Sequence, residues 1–401
     1  MSGKYRKNIE QVVSNLLADQ QDAPPIGASL VPMLLAAQGQ SVVPSLQGGQ
    51  IMPTHDRLGR SGLDQVFFKS EAGLGFALLG MAKSSRKATV GIVTSGPGGL
   101  NTITPLADAT RDCAPVGMLC GQVPQSAMGT DAFQGVDIVD VVRPITKSAR
   151  FVDSLDNLID CIPRDLGLAA SGKPGSVLWD LPKNVQITAV DDLAALGQRL
   201  ECYEDFIEKP ELDTASLDRA IELLYQSDTP AILAGYGLVL ADVYDEFQEL
   251  LRLTNLPVIY TLPGKASVSS AYKYNMGMLG MNGLYSGSAC GYYSDFLLSL
   301  GSRYDDRAVG NPDTFAPLAK KRNALVHVDT EPEQFGLAKE LLAHKLCVQA
   351  DAGDVVRYLL EHIDPKRIKI EPWLKKLEAI KKDNLPPRSI YDQNENLNVI
   401  H

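Results

Sequence analysis

The sequence predicts an α/β protein of two consecutive domains, each built on a parallel sheet, with an N-terminal helix in front and a C-terminal tether behind. Three observations predict it. The chain has 401 residues, more than a single core of about 100–200 residues accommodates. Its 45% hydrophobic and 21% charged residues lie close to the roughly 45–50% and about 25% of globular proteins. Short apolar runs bounded by glycine alternate with helical patterns, first from residue 28 to 187 and again from Leu217 onward. Such alternation is the pattern of parallel strands joined by crossover helices.

Taken in chain order, Ile9, Val12, Val13, Leu16 and Leu17 recur at helical spacing and predict an amphipathic helix over 8–19, ended by Pro24-Pro25. Residues 1–27 are read as an appended extension. The first α/β domain is placed at 28–187, with the run from Lys87 to Thr94 as a strand that opens into Ser95-Gly-Pro-Gly-Gly99. A linker-like stretch runs from about Gln186 to Glu211. The second domain, placed at 188–364, has strands at Pro230–Ala234, Pro257–Tyr260 and Phe296–Leu300. Residues 365–401 are read as a linker and tail. They hold a short helix opened by Pro372, with Trp373, Leu374, Leu377 and Ile380 on one face, and then Pro386-Pro387 in a polar tether.

Composition excludes several classes. Acidic residues outnumber basic ones 48 to 38, a formal charge of −10, which opposes the basic face a general nucleic-acid binder needs. Apolar stretches such as 27–37 and 74–82 fall short of the roughly 20 residues that span a bilayer. The six cysteines form no C-x-x-C pair, so neither a zinc site nor a disulfide framework is indicated. No apolar segment follows the N-terminal Met-Ser-Gly-Lys-Tyr-Arg-Lys, and Glu10 and Asp19 disfavour a transit peptide. A cytoplasmic protein with reduced thiols is the expectation.

Three features could carry chemistry. Glu71 precedes Ala72-Gly-Leu-Gly-Phe-Ala at a strand-to-helix boundary. A carboxylate poorly solvated in such a small, apolar segment is suited to sharing a proton with a ligand nitrogen; the alternative is a helix N-terminal acid favoured by the dipole. The loop Thr94-Ser-Gly-Pro-Gly-Gly-Leu-Asn101 lets backbone approach a ligand closely, or is a tight structural turn. Gly301-Ser-Arg-Tyr-Asp-Asp-Arg307 closes a strand-like run with two arginines and two carboxylates. Arginine grips pyrophosphate and a carboxylate takes a ribose hydroxyl outside strand ends; a surface salt-bridge cluster is the competing reading. The five histidines show no ligand spacing, and no metal site is assigned.

These strings together resemble the acetohydroxyacid synthase (acetolactate synthase) catalytic subunits of the thiamine-diphosphate-dependent enzymes. Gly48-Gly-Gln-Ile-Met-Pro53, Glu71-Ala-Gly73, Thr94-Ser-Gly-Pro-Gly98 with Asn101, Gly121-Gln-Val-Pro124, Thr130-Asp-Ala-Phe-Gln134, Thr146-Lys147, Gly172-Lys-Pro-Gly175 and Asp180-Leu-Pro-Lys183 follow in that family's order. Gly277-Met-Leu-Gly-Met-Asn-Gly283 and Arg303-Tyr-Asp-Asp-Arg307 resemble its segments that hold FAD. The resemblance implies a pyrimidine-binding domain followed by a central FAD-binding-type domain. It implies Glu71, Gln134 and Lys147 as catalytic residues. Gly48, Gly49, Glu71, Pro97, Asn101, Gln122 and Phe133 would line the thiamine diphosphate site. For FAD it implies Lys173, Gly235, Gly237, Thr261, Leu262, Met281, Asn282, Arg303, Asp306, Arg307 and Asp329.

Some positions depart from the pattern. Lys173 stands where the family has arginine and offers no bidentate fork, Asn282 replaces a histidine, and Gly235-Tyr-Gly237 replaces three glycines. The family's third domain, whose G-D-G…N motif holds Mg2+ and the cofactor diphosphate, has no counterpart in the string; Gly353-Asp-Val355 lacks the second glycine. The implied function is therefore half of an acetolactate synthase-like enzyme of branched-chain amino acid biosynthesis. It would use pyruvate and a second 2-ketoacid, with the diphosphate domain and its Mg2+ on a partner chain, in a homo- or hetero-oligomer. The alternatives are a non-catalytic paralogue that regulates or scaffolds a full-length synthase, and another 2-ketoacid decarboxylase.

Overall fold

A computed structural model describes residues 5–18, 23–331, 334–336 and 346–384 of the chain. It divides into two compact units, Met1–Glu208 and Lys209–His401. Each is a six-stranded, wholly parallel sheet with helices, the α/β architecture expected.

In the first unit the strands are β1 (Val42–Ser45), β2 (Asp64–Phe67), β3 (Thr89–Val93), β4 (Val116–Gln122), β5 (Ser148–Phe151) and β6 (Ser176–Pro182), in spatial order β2-β1-β3-β4-β6-β5. The inner strands β3, β4 and β6 are buried along their whole length. They read as continuous apolar runs because helices cover both faces of the sheet. Val177, Trp179 and Leu181 face one layer with Leu30–Ala37 and the Leu155–Ala170 helix; Leu178, Met118 and Cys120 face the other, with Leu74, Leu106 and Ile138. Chain order reverses between β1 and β3, so the crevice outside their carboxyl ends is the topological switch point where ligands of such sheets bind.

The second unit holds β7 (Pro230–Ala234), β8 (Val258–Tyr260), β9 (Asn275–Met278), β10 (Phe296–Leu300), β11 (Leu325–Asp329) and β12 (Leu346–Gln349), in the order β12-β11-β10-β7-β8-β9. Its switch point lies between β7 and β10. There Gly235 N donates to Leu300 O at 2.9 Å, and a Cβ on Gly235 would meet Gly301 O at 2.2 Å. The two loops thus close on each other, and Gly235 admits that approach because it has no side chain.

Three segments lie differently from the sequence reading. The helix Arg6–Ala18 buries Val12 and Leu16 in the first core, and Asn15 Nδ2 donates to Ser61 O at 2.8 Å, so it is part of that unit rather than appended to it. Residues 188–208, assigned by sequence to the second domain, pack on the first: Leu193, Leu200, Cys202 and Tyr203 join its core, and Gln38 Nε2 donates to Glu201 O at 3.0 Å. The polar character of this stretch hid four apolar anchors. The helix Glu371–Asp383 is docked and not a tether: Trp373, Leu374 and Leu377 are buried in the second core, and Trp373 Nε1 donates to Pro230 O at 3.0 Å. The tether around Pro386-Pro387 lies outside the described residues. Among the described residues no helix is long and apolar enough to cross a membrane, and no group of three or more His, Cys, Asp or Glu could hold a metal ion.

Candidate functional site

Glu71 is the first residue of the helix Glu71–Ser85, which starts just beyond the carboxyl end of β2. Ser70 caps it, its Oγ accepting from Gly73 N at 3.4 Å, and the acid in the first turn complements the helix dipole. The side chain is half-buried and not enclosed. The helix N-terminal reading describes its place, and the carboxylate lies on the switch-point rim.

The turn after β3 brings a second group to it. Gly96 adopts φ +59°, a conformation that L side chains rarely take, and a Cβ there would come within 2.9 Å of Gln134 O. That glycine lets the chain turn into the short helix Pro97–Leu100. Asn101, which follows, donates from Nδ2 to Glu71 Oε2 at 3.1 Å. A Cβ on Gly98 would lie 3.7 Å from Glu71 Oε1, and one on Gly48 would overlap Thr94, 2.4 Å from its Cβ. Gly48, Thr94, Gly98, Glu71 and Asn101 thus form one rim at the carboxyl ends of β1, β2 and β3. Thr94 Oγ1 and Ser95 Oγ are buried there with no hydrogen-bond partner, which in native proteins marks a place for water or a ligand. Gly49 and Pro97 are exposed on the same rim.

Gln134 lies over Gly96, itself at φ +64°, and its neighbour Phe133 is 83% exposed. Gln122, at the end of β4, is directed into the protein: its Nε2 donates to Asp180 Oδ2 and to Val136 O, both at 2.8 Å, and its Oε1 accepts from Val123 N at 2.8 Å. Lys147 is not brought to this rim. It immediately precedes β5, its N donates to Ser176 O, and its Nζ donates to Ser171 O at 2.7 Å and Lys173 O at 3.0 Å. These are the amino ends of β5 and β6. Glu71 follows the carboxyl end of β2, and in a parallel sheet the two ends are separated by the strand's full rise of about 3.3 Å per residue. Lys147 and Lys173 therefore form a second cluster at the far edge.

Sequence reasoning gave Asp180 no role. It occupies β6 opposite Cys120 of β4, 1% exposed, with Oδ1 lacking any partner. Burial drives its carboxyl up to about 7; the hydrogen bond from Gln122 acts against this, and Asp137 adds to it. Burial, and secondarily Asp180, also raises the Cys120 thiol well above its ordinary value. The available signal was a lone carboxylate inside the apolar run Ser176-Val-Leu-Trp-Asp-Leu-Pro182.

In the second unit the sequence-assigned residues gather at the carboxyl ends of its strands. Thr261 N donates to Ala234 O at 3.1 Å and its Oγ1 accepts from Gly264 N at 3.3 Å, beside exposed Leu262. Gly237 N donates to Gly301 O at 3.1 Å. Met281 N donates to Arg307 O at 2.8 Å, and Arg307 Nη1 reaches Met281 Sδ at 3.0 Å, with Asn282 exposed next to it. Arg303 lies 3.7 Å from Asp305 and Arg307 3.8 Å from Asp306, all on the surface. Such exposed pairs contribute about 0–1 kcal/mol each. Asp329 accepts from Glu331 N at 3.1 Å at the end of β11. Lys173 belongs to the first unit.

Comparison with known proteins places both units. Residues 26–141 match the thiamine pyrophosphate enzyme N-terminal TPP binding domain, and residues 217–359 match the thiamine pyrophosphate enzyme central domain. The chain is 32% identical over 359 residues to the acetolactate synthase large subunit of Corynebacterium glutamicum, covering 88% of this chain and 56% of that protein. It is 35% identical over 338 residues to the acetolactate synthase isozyme 2 large subunit of Escherichia coli, covering 84% and 59%. With the chloroplastic acetolactate synthase of Arabidopsis thaliana it shares 36% over 331 residues, covering 82% and 48%. The chain thus spans about half the length of the curated relatives it matches. Two parallel sheets, a glutamate on the first switch-point rim, and these matches in the order of the two units lead to one conclusion: the chain belongs to the thiamine pyrophosphate enzymes, of which it carries the N-terminal binding domain and the central domain, with acetolactate synthase large subunits as relatives.

Proposed function

We propose that this chain is the pyrimidine-binding half of an acetolactate synthase-like enzyme of branched-chain amino acid biosynthesis, decarboxylating pyruvate and joining the two-carbon unit to a second 2-ketoacid. Its setting in this reading is the cytoplasm. The observation that carries it is the Glu71–Asn101 pair on the first switch-point rim. Asn101 fixes the carboxylate by Oε2, which leaves Oε1 for a ligand nitrogen, and Gly98 lets the turn pack tightly against Thr94, a Cβ there coming within 2.8 Å of its methyl. Thr94 and Ser95, buried with unmatched hydroxyls on the same rim, fit a polar ligand. The bound cofactor supplies the electron sink for decarboxylation. Glu71 holds and moves a proton at a ring nitrogen from Oε1; Phe133 and Gln134, on the loop above Gly96, exclude water from the reacting side. Phe67, Phe76, Leu100 and Phe133 are 54%, 44%, 36% and 83% exposed on the elements around this rim, a surface suited to a docking partner. The partner would be a chain with the diphosphate-binding domain and its Mg2+, or a full-length synthase.

Calorimetric titration with Mg2+ and thiamine diphosphate tests this. The 401-residue chain alone is expected to bind weakly, because ring stacking and one carboxylate contact do not offset the cost of immobilising the ligand. With the partner chain, tight binding and pyruvate consumption are expected. Tight binding and pyruvate turnover by this chain alone would overturn the divided site.

The second unit is proposed to hold FAD at its own switch point, with Arg303, Asp306 and Arg307 toward the phosphates and ribose. The support is their shared placement after β10, Arg303 in the loop and Asp306 and Arg307 at the start of the short helix Asp306–Val309, where ligands of such sheets bind. Gently purified protein should show flavin absorbance that Arg303→Ala/Arg307→Ala removes. A colourless, folded protein that takes up no added FAD would reject the site.

A further inference from the structure

We propose that Asp180 is a positioning residue which, through Gln122, clamps the loop bearing Phe133 and Gln134 over the Glu71 rim. The path is short and buried. Asp180 Oδ2 accepts from Gln122 Nε2, and the same amide nitrogen donates to Val136 O, both at 2.8 Å. The Gln122 carbonyl is held by Val123 N at 2.8 Å, so the side chain cannot turn over without losing an acceptor and two donor contacts. Gln122 and Asp180 are each 1% exposed. Two residues before Val136, Gln134 sits at φ +64° with its backbone against Gly96, and the turn at Gly96 leads to Gly98 and Asn101 beside Glu71. Asp180 is thus three contacts from the rim.

The contrast with Asp165 separates this from ordinary burial. That aspartate, on the opposite layer, takes Arg150 Nε at 2.8 Å, Arg150 Nη2 at 2.9 Å and Trp179 Nε1 at 3.0 Å, a satisfied structural ion pair. Asp180 has one neutral amide donor and an unmatched Oδ1, an arrangement suited to an acid that keeps its proton. The titratable groups facing it are Cys120 of β4 and Asp137, which caps the helix Ile138–Val142. Asp140 and Arg143 of that helix are exposed and pair with each other at 2.7 Å. No cation from these elements offsets the burial of a charge on Asp180, so the closed, buried arrangement favours the protonated carboxyl although the Gln122 bond alone favours the charged form.

The bearing of the clamp on the reaction rests on the proposed function, whereas the clamp itself is tested without a cofactor. Hydrogen exchange of residues 125–137 is measured in the full chain for wild type, Asp180→Asn, Asp180→Leu, Gln122→Leu and the double variant Asp180→Leu/Gln122→Leu. Asp180→Leu should speed exchange of 132–136 about tenfold. Asp180→Asn, which imitates the neutral carboxyl, should keep it near wild type, and the double variant should be no faster than Gln122→Leu alone. In wild type the protection factors of the loop, corrected for base-catalysed intrinsic exchange, should be lower at pH 8 than at pH 6, and in Asp180→Asn this difference in protection should vanish. Unchanged loop exchange in a folded Asp180→Leu protein, or additive effects in the double variant, would overturn the clamp. If Asp180→Leu does not fold, Gln122→Leu decides: wild-type exchange there overturns it and faster exchange supports it. Failure of the chain and its partner together to bind thiamine diphosphate would sink the proposed function and leave these readings intact.

Discussion

Glu71→Gln is expected to lower thiamine-diphosphate-dependent pyruvate turnover of the assembled enzyme by about 10²–10⁴-fold, the range that a positioned general acid–base contributes. Glutamine keeps the length of the side chain and an oxygen for Asn101 Nδ2, which now donates to Glu71 Oε2 at 3.1 Å. It removes the exchangeable proton and the charge in the helix's first turn. The loss at the helix terminus is about 0.3–1 kcal/mol, too small to unfold a unit whose core spans both faces of a six-stranded sheet. The expected signature is therefore a collapsed kcat with a thermal midpoint shifted by only a few degrees. Turnover near the wild-type rate in a folded variant would remove Glu71 from the mechanism.

The second large effect is on stability. The Asp180 carboxyl titrates at about 7 in the folded chain against an ordinary 3.8, so the folded state binds this proton more tightly than the unfolded state. The stability it contributes is full below the unfolded value of about 4 and is lost as pH rises through about 7. The gap of about three pH units corresponds to about 4 kcal/mol. Asp180→Asn cannot ionise, and other groups cancel in the comparison with wild type. At pH 4 the two proteins are expected to unfold at similar urea concentrations, and at pH 5 wild type should already trail by about a third of the final gap. At pH 8 the variant should be ahead by roughly 1–2 M urea. Fluorescence of Trp179, beside Asp180 in β6, reports this transition in a Trp373→Phe background. A wild-type-to-variant difference that stays constant from pH 5 to 8 would show that Asp180 ionises freely in the folded protein.

The sequence by itself determined the class of fold and several strands to the residue. Pro230–Ala234 and Phe296–Leu300 are strands with the bounds read from the sequence, because parallel strands covered on both faces must be apolar throughout and glycine marks where they stop. It also placed Glu71 at a strand-to-helix boundary, since a lone acid ahead of small residues is a local signal. Signals of that kind need no partner. The tertiary structure alone decided which distant groups meet. Asn101 reaches Glu71 across 30 residues only because β1, between β2 and β3 in the sheet, brings their carboxyl ends to one rim. Lys147 falls at the opposite end because β5, a short edge strand with no buried residue, carries no apolar run to show that a strand begins at Ser148. The trio of Asp180, Gln122 and Val136 depends on the β4–β6 register, in which Cys120 opposes Asp180 and Gln122 opposes Pro182. Register is a property of two strands at once, and a shift of one residue would turn Asp180 to the opposite layer, so no reading of either strand alone contains it.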